Sequence, residues 1–234
     1  GSLAAAGNPQ ASALATSCRD EGPASAEAVS ALAPLPQTAD ELMRAQRFLG
    51  GADGTEVLLG AQATEANLRR QELSQYRVLY FATHGLLPGE LRCRTEPALV
   101  LTPPGRTNSR ADDGLLEASE IAGLRLNADL VVLSACNTGG SGTRLGGDAL
   151  SGLAEAFFYA GARTLLVTHW SVPSEATSVL MGSVFERMSG AAPASGVAMA
   201  LQAAQDELRR DPRMVHPVFW GGFAVVGDGA QAAR

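Results

Sequence analysis

His84 and Cys136 each follow a short apolar run. Val78-Leu79-Tyr80-Phe81-Ala82-Thr83 leads into His84-Gly85, and Leu130-Val131-Val132-Leu133-Ser134-Ala135 leads into Cys136. Both runs read as buried strands. In an open parallel sheet, ligands bind at the carboxyl ends of the strands. Neighbouring strands that deliver a His and a Cys to one such edge make a nucleophile and its base. A free thiol has a pKa of about 8.5, so activation means removing its proton or stabilising the thiolate. Imidazole can take that proton and later return it to a leaving amine. The N–H of Gly85, together with that of Cys136, could hold the oxyanion of a tetrahedral intermediate, each donor worth about 2.7–4 kcal/mol. A residue without a Cβ lets a substrate come that close.

The elements that must position this pair alternate along the chain. Strands are predicted at Ala13–Thr16, Glu56–Leu59, Val78–Thr83, Ala98–Leu101, Leu130–Ser134, Thr164–Thr168 and Phe223–Val226. A helix is expected from Thr38, where Thr38 can cap and Glu41 three residues on completes a capping box. Further helices are expected near Glu65–Leu73, Glu117–Leu124, after Asp148 (carrying Leu150, Leu153, Ala154 and Phe157), Glu175–Met188 and Ser195–Arg210. Strands alternating with helices point to an α/β layer fold with a mainly parallel sheet. The Ala-, Ser-, Gly- and Pro-rich stretch 1–33 reads as an N-terminal extension, 34–228 as the main domain and 229–234 as a tail. There is no internal repeat of solenoid type.

Composition excludes several classes. The 234 residues carry a net charge of −6, with 46% apolar and 18% charged residues, an ordinary globular mixture. No basic footprint argues for nucleic acid, and no apolar run approaches the ~20 residues of a membrane span. The three cysteines, Cys18, Cys93 and Cys136, form neither a disulfide framework nor a zinc pattern, and no metal or cofactor is expected. A functional thiolate favours a reducing compartment, hence cytoplasm. Gly1-Ser2 matches the remnant of a cleaved tag, and no signal peptide follows it. The absence of lysine is compatible with a GC-rich bacterial source.

Other segments carry a family resemblance. They are Leu58-Leu59-Gly60 with Ala63-Thr64-Glu65, Phe81 to Gly85, Gly114-Leu115-Leu116 with Glu120-Ile121, and Leu130 to Thr138. Later come Ala156-Phe157 with Ala160-Gly161-Ala162, Trp170-Ser171-Val172, and His216-Pro217 with Trp220. On these, residues about 34–228 resemble the CHAT domain, a caspase-like module related to separase and often attached to tetratricopeptide repeats. The resemblance implies a caspase-like three-layer sandwich with a mainly parallel central sheet of about six strands. It implies a cysteine endopeptidase working through a Cys136–His84 dyad on protein or peptide substrates. The 52-residue separation of the pair fits the caspase spacing of about 50. It also implies a regulatory repeat domain or partner of the tetratricopeptide type.

One segment departs from the pattern. Relatives read Trp-x-Val-x-Asp, the Asp contacting a basic P1 residue, whereas Trp170-Ser171-Val172-Pro173-Ser174-Glu175 puts Ser174 there. Ser134, Trp170, Ser174 and Glu175 are the candidate substrate-binding residues. Glu175 either faces the pocket, if Pro173 reshapes the turn, or sits in the first turn of the next helix, where a carboxylate suits the dipole. His169 is a candidate to assist the dyad or line the pocket, and His216 reads as a packing or turn residue. Residues 137–147, with five glycines, fit neither the dinucleotide fingerprint nor the Walker pattern and read as a post-cysteine loop, in which Arg144 is a candidate processing site. The alternative function is a catalytically silent caspase-like interaction module.

Overall fold

The computed structural model describes residues 24, 26–32, 34–48, 56–91, 94–104, 109–134, 146–170, 172–189 and 196–229. The strands are β1 (Val78–Phe81), β2 (Gly85–Leu86), β3 (Ala98–Val100), β4 (Leu115–Glu117), β5 (Leu130–Leu133), β6 (Thr164–Thr168) and β7 (Phe223–Gly227). The helices are α1 (Ala26–Ser30), α2 (Gln37–Phe48), α3 (Glu65–Arg70), α4 (Ala118–Ala122), α5 (Gly146–Ala160), α6 (Ser174–Ser189) and α7 (Val197–Arg210). The central sheet has the order β1-β5-β6-β7, its first three strands parallel and β7 antiparallel to β6.

β5 and β6 are buried along their whole length, which is why their sequences are continuous apolar runs. Alternate residues serve opposite faces. Leu130, Val132 and Leu166 pack with α2, α6 and α7, through Ala45, Leu180, Phe185 and Leu201. Val131, Leu133, Leu165 and Val167 pack on the other side with Leu68 of α3, Ile121 of α4 and Phe157 of α5. Helices on both faces of one sheet make the three layers of a caspase-like sandwich.

The central sheet shows four strands among the described residues. Ala98–Val100 joins a second, antiparallel sheet of order β2-β3-β4. A parallel strand needs a crossover of a dozen or more residues, usually helical. Among the described residues no helix lies between β2 and β3, and β3 pairs antiparallel with β2. Glu56–Leu59 belongs to no strand, and the expected strand at 13–16 lies outside the described residues. The expected helix 65–73 is split, with α3 ending at Arg70 and a 3-10 turn at Leu73–Gln75. α5 begins at Gly146, ahead of Asp148.

α2 begins at Gln37, and Thr38 does not cap it. The Thr38 hydroxyl donates back to the Leu35 carbonyl (2.7 Å), while Glu41 turns into the core.

A buried polar clamp fixes β4. Glu65 is fully buried at the start of α3, and its Oε2 accepts from the N–H groups of Asp113 (2.8 Å) and Gly114 (2.7 Å). Asp113 accepts from the N–H of Leu115 (3.0 Å) and Ala24 (2.6 Å). Arg94, itself buried, bridges Asp113 and Glu117, each at 2.9 Å. Gly114 has φ +88°, and a Cβ there would meet the Pro103 backbone at 2.9 Å. The motifs around Glu65 and Gly114 are therefore two halves of one clamp, which holds β4, then β3, then β2 with Gly85.

Two outcomes follow for stability. Gly114→Ala should destabilise the fold by roughly 1–3 kcal/mol, through strain at a left-handed residue and the Pro103 contact, in urea unfolding. Burial pushes the Glu65 carboxyl from 4.5 up to about 7, with the Gly114 N–H and Arg69 opposing and Glu120 and Asp113 reinforcing the rise. The folded state thus keeps a proton that the unfolded chain has lost across that window. Stability from this group is full below the unfolded pKa and falls by up to about 1.4 kcal/mol per pH unit as pH climbs to the folded one. Glu65→Gln keeps an acceptor and removes the titration. Its stability relative to wild type should rise from about pH 4.5 to about pH 7, and a constant difference would refute the assignment.

Candidate active site

The parallel register brings the carboxyl ends of β1, β5 and β6 to one edge. Phe81 pairs with Leu133, Leu133 with Val167, and Thr168 with Phe223. The ladder continues one step past β5, where the Ser134 N–H donates to the Phe81 carbonyl (3.0 Å). Thr168 donates its hydroxyl to the Leu133 carbonyl (3.3 Å). His84 is three residues past Phe81, and Cys136 is three residues past its partner Leu133. Cys136 itself and loop residues 137–145 lie outside the described residues.

His84 is half-buried, with Nδ1 closed off from solvent. Its carbonyl accepts from the Val100 N–H (2.9 Å), and the Thr83 hydroxyl donates to the Val100 carbonyl. These bonds anchor the His84 backbone to β3. They also set the state of Gly85. With Gly85 opposite Leu99 and Val100 bonded to His84, Gly85–Leu99 is a non-hydrogen-bonded pair of the ladder. Its N–H points away from β3, on the open side of the edge strand β2. Gly85 is itself buried there.

Behind the edge lies a residue whose role the sequence pattern concealed. Glu41 of α2 is only 5% exposed, and its carboxyl accepts from the hydroxyls of Tyr80 and Ser134. Burial pushes its pKa up, and the two hydroxyls pull it partly back. Tyr80 also packs on Phe185, with ring centroids 5.5 Å apart. The signal for this inward placement was the i, i+4 relation of Glu41 to buried Ala45.

The substrate-side candidates separate. Ser134 is buried, its hydroxyl directed to Glu41. Trp170 is 37% exposed, donates Nε1–H to the Val218 carbonyl (3.2 Å), and lies against the Gly221-Gly222 backbone. A Cβ on Gly222 would come within 2.9 Å of the indole, so the glycine seats the ring. Ser174 is the exposed first residue of α6, and Glu175 follows, exposed in its first turn. Arg213, paired to Asp211 at 2.7 Å, also feels the Glu175 charge. That placement favours the helix-dipole reading of Glu175.

His169 is exposed and continues the β6–β7 ladder through its N–H to Gly222 (2.8 Å). His216 accepts at Nδ1 from the Val218 N–H (3.2 Å), capping the 3-10 turn Pro217–Phe219, as a turn residue should. A cleft of about 980 Å³ runs between α2, residues 56–59 and β1, and reaches His84. Among the described residues no group of three His, Cys, Asp or Glu is placed to hold a metal, and no helix is long and apolar enough to cross a membrane.

Comparison with known proteins places this geometry in a family. The CHAT domain family matches residues 2–228. Tetratricopeptide repeat protein 28 of Mus musculus is 27% identical over 227 residues, which cover 83% of this chain and 9% of the mouse protein. The Homo sapiens protein of the same name is likewise 27% identical, with 8% of its length covered. The chain therefore spans less than a tenth of the relatives it matches. With a match running from residue 2 to residue 228, the chain belongs to the CHAT domain family.

Proposed function

We propose that this chain is a cysteine endopeptidase of the caspase and separase type, acting on protein or peptide substrates. Cys136 attacks the scissile carbonyl, and His84 takes its proton and returns it to the leaving amine. The N–H groups of Gly85 and Cys136 hold the oxyanion. The observation that carries this reading is the pairing of Phe81 with Leu133, from which equal three-residue extensions lead to His84 and Cys136. The outward N–H of Gly85 supports the oxyanion role. Trp170, seated on Gly222 beside the edge, is the main candidate wall of the substrate cleft, with Ser174 and Glu175 at its outer end. Exposed Glu175, already facing Arg213, gives only a mild preference for a basic P1 residue.

The matched relatives are named for tetratricopeptide repeats, which supports regulation by a repeat domain or partner of that type. A working thiolate favours a reducing compartment such as the cytoplasm. The departure at Ser174 favours one alternative, a silent interaction module on the same fold.

A diverse peptide library cut by the protein and read by mass spectrometry separates the two. Cleavages present with wild type and absent with Cys136→Ala and His84→Ala establish the peptidase, with a loss of about 10³-fold or more expected for either variant. Turnover undiminished in either variant refutes the dyad. A wild-type protein that cuts nothing, and whose Cys136 alkylates no faster than Cys18 and Cys93, is the silent module.

A further inference from the structure

Glu41 joins two elements that have no reason to meet in sequence. The carboxyl accepts from Tyr80, in β1 and four residues before His84. It also accepts from Ser134, next after β5 and two residues before Cys136. Among the described residues, backbone pairing of these strands runs up to the Ser134 N–H. The two hydroxyls on one carboxyl supply a side-chain cross-link at the place where backbone pairing stops. A buried carboxyl with hydroxyl partners is also a rigid one, since releasing it would leave polar groups unsatisfied in the core.

From this geometry we infer that Glu41 is a positioning residue for the Cys136–His84 pair, bridging Tyr80 and Ser134 so that both strand ends leave the sheet in a fixed relation. The inference rests on the peptidase reading above. Glu41 acts through Ser134 on the approach to Cys136 and through Tyr80 on the approach to His84. Its partners are two neutral hydroxyls, and its burial favours the protonated form.

The test is the pH profile of Cys136 alkylation by iodoacetamide, followed site by site with Cys18 and Cys93 as internal references. Wild type, Glu41→Gln, Glu41→Leu, Tyr80→Phe and Ser134→Ala are compared well below their unfolding temperatures. Glu41→Gln keeps an acceptor oxygen for the hydroxyls and should stay close to wild type. Glu41→Leu should slow Cys136 about tenfold near pH 7, as its profile moves about one unit toward that of an unpaired thiol, while Cys18 and Cys93 do not change. If Glu41→Leu does not fold, Tyr80→Phe and Ser134→Ala, which each delete one hydroxyl, should show the same displacement in smaller measure. A fast wild-type Cys136 with every variant matching it overturns the positioning role and leaves the peptidase reading intact. A wild-type Cys136 no faster than Cys18 and Cys93 overturns both, because there is then no activated pair to position.

Discussion

The parallel pairing of β1 with β5 is the constraint on which the candidate site depends. Val78 to Phe81 lie beside Leu130 to Leu133, one residue to one residue, across 52 positions of sequence. Both strands point the same way, so their ends meet at one edge. A slip of one residue would turn the side chains of a whole strand to the wrong face. Burial forbids that slip, because Val131 and Leu133 serve one core while Leu130 and Val132 serve the other. The hydrophobic cores thus fix the register, and the register fixes where His84 and the approach to Cys136 stand.

Carboxylates do much of the remaining positioning, each in a different chemical setting. Glu65 satisfies backbone N–H groups on a tight turn at Gly114. Asp113 and Glu117 share Arg94. Asp129, at the start of β5, is held by Arg77 (2.5 Å) and Arg163 (3.1 Å). Glu41 has two hydroxyls instead of a cation. Buried pairs of this kind contribute little net stability, but removing one partner is severe, so they specify arrangement more than they add free energy. Arginine suits the role here, since its planar fork reaches two carboxylates at once, as Arg94 does.

Much of this was legible in the sequence. β5 and β6 are continuous apolar runs because they are covered on both faces, and such runs are readable without knowing their partners. His84 could be placed just past a strand end for the same reason, and the turn at His216 followed from local chemistry, while α6 begins at Ser174, one residue before the expected Glu175. What escaped depended on contacts distant in sequence. Ala98–Val100 has the composition of a core strand, yet its antiparallel partners are decided by the short return from β2. Thr38 and Glu41 have the spacing of a capping box, but the face shared with Ala45 directs Glu41 inward, where burial outweighs a local capping rule. Ser134, expected beside a substrate, is buried with its hydroxyl on Glu41, a contact 93 residues away in sequence.

The reversal of β7 carries a consequence for how the domain can be tethered. β7 enters beside Thr168, at the edge where β1 and β5 also end, and leaves beside Thr164 at the opposite rim. There the N–H of Gly229 donates to the Thr164 hydroxyl (3.1 Å), tying the exit to the sheet. A linker, surface anchor or fused protein joined after Gly229 therefore departs from the rear of the sheet. Immobilised by that end, the domain would present its His84 rim to solution.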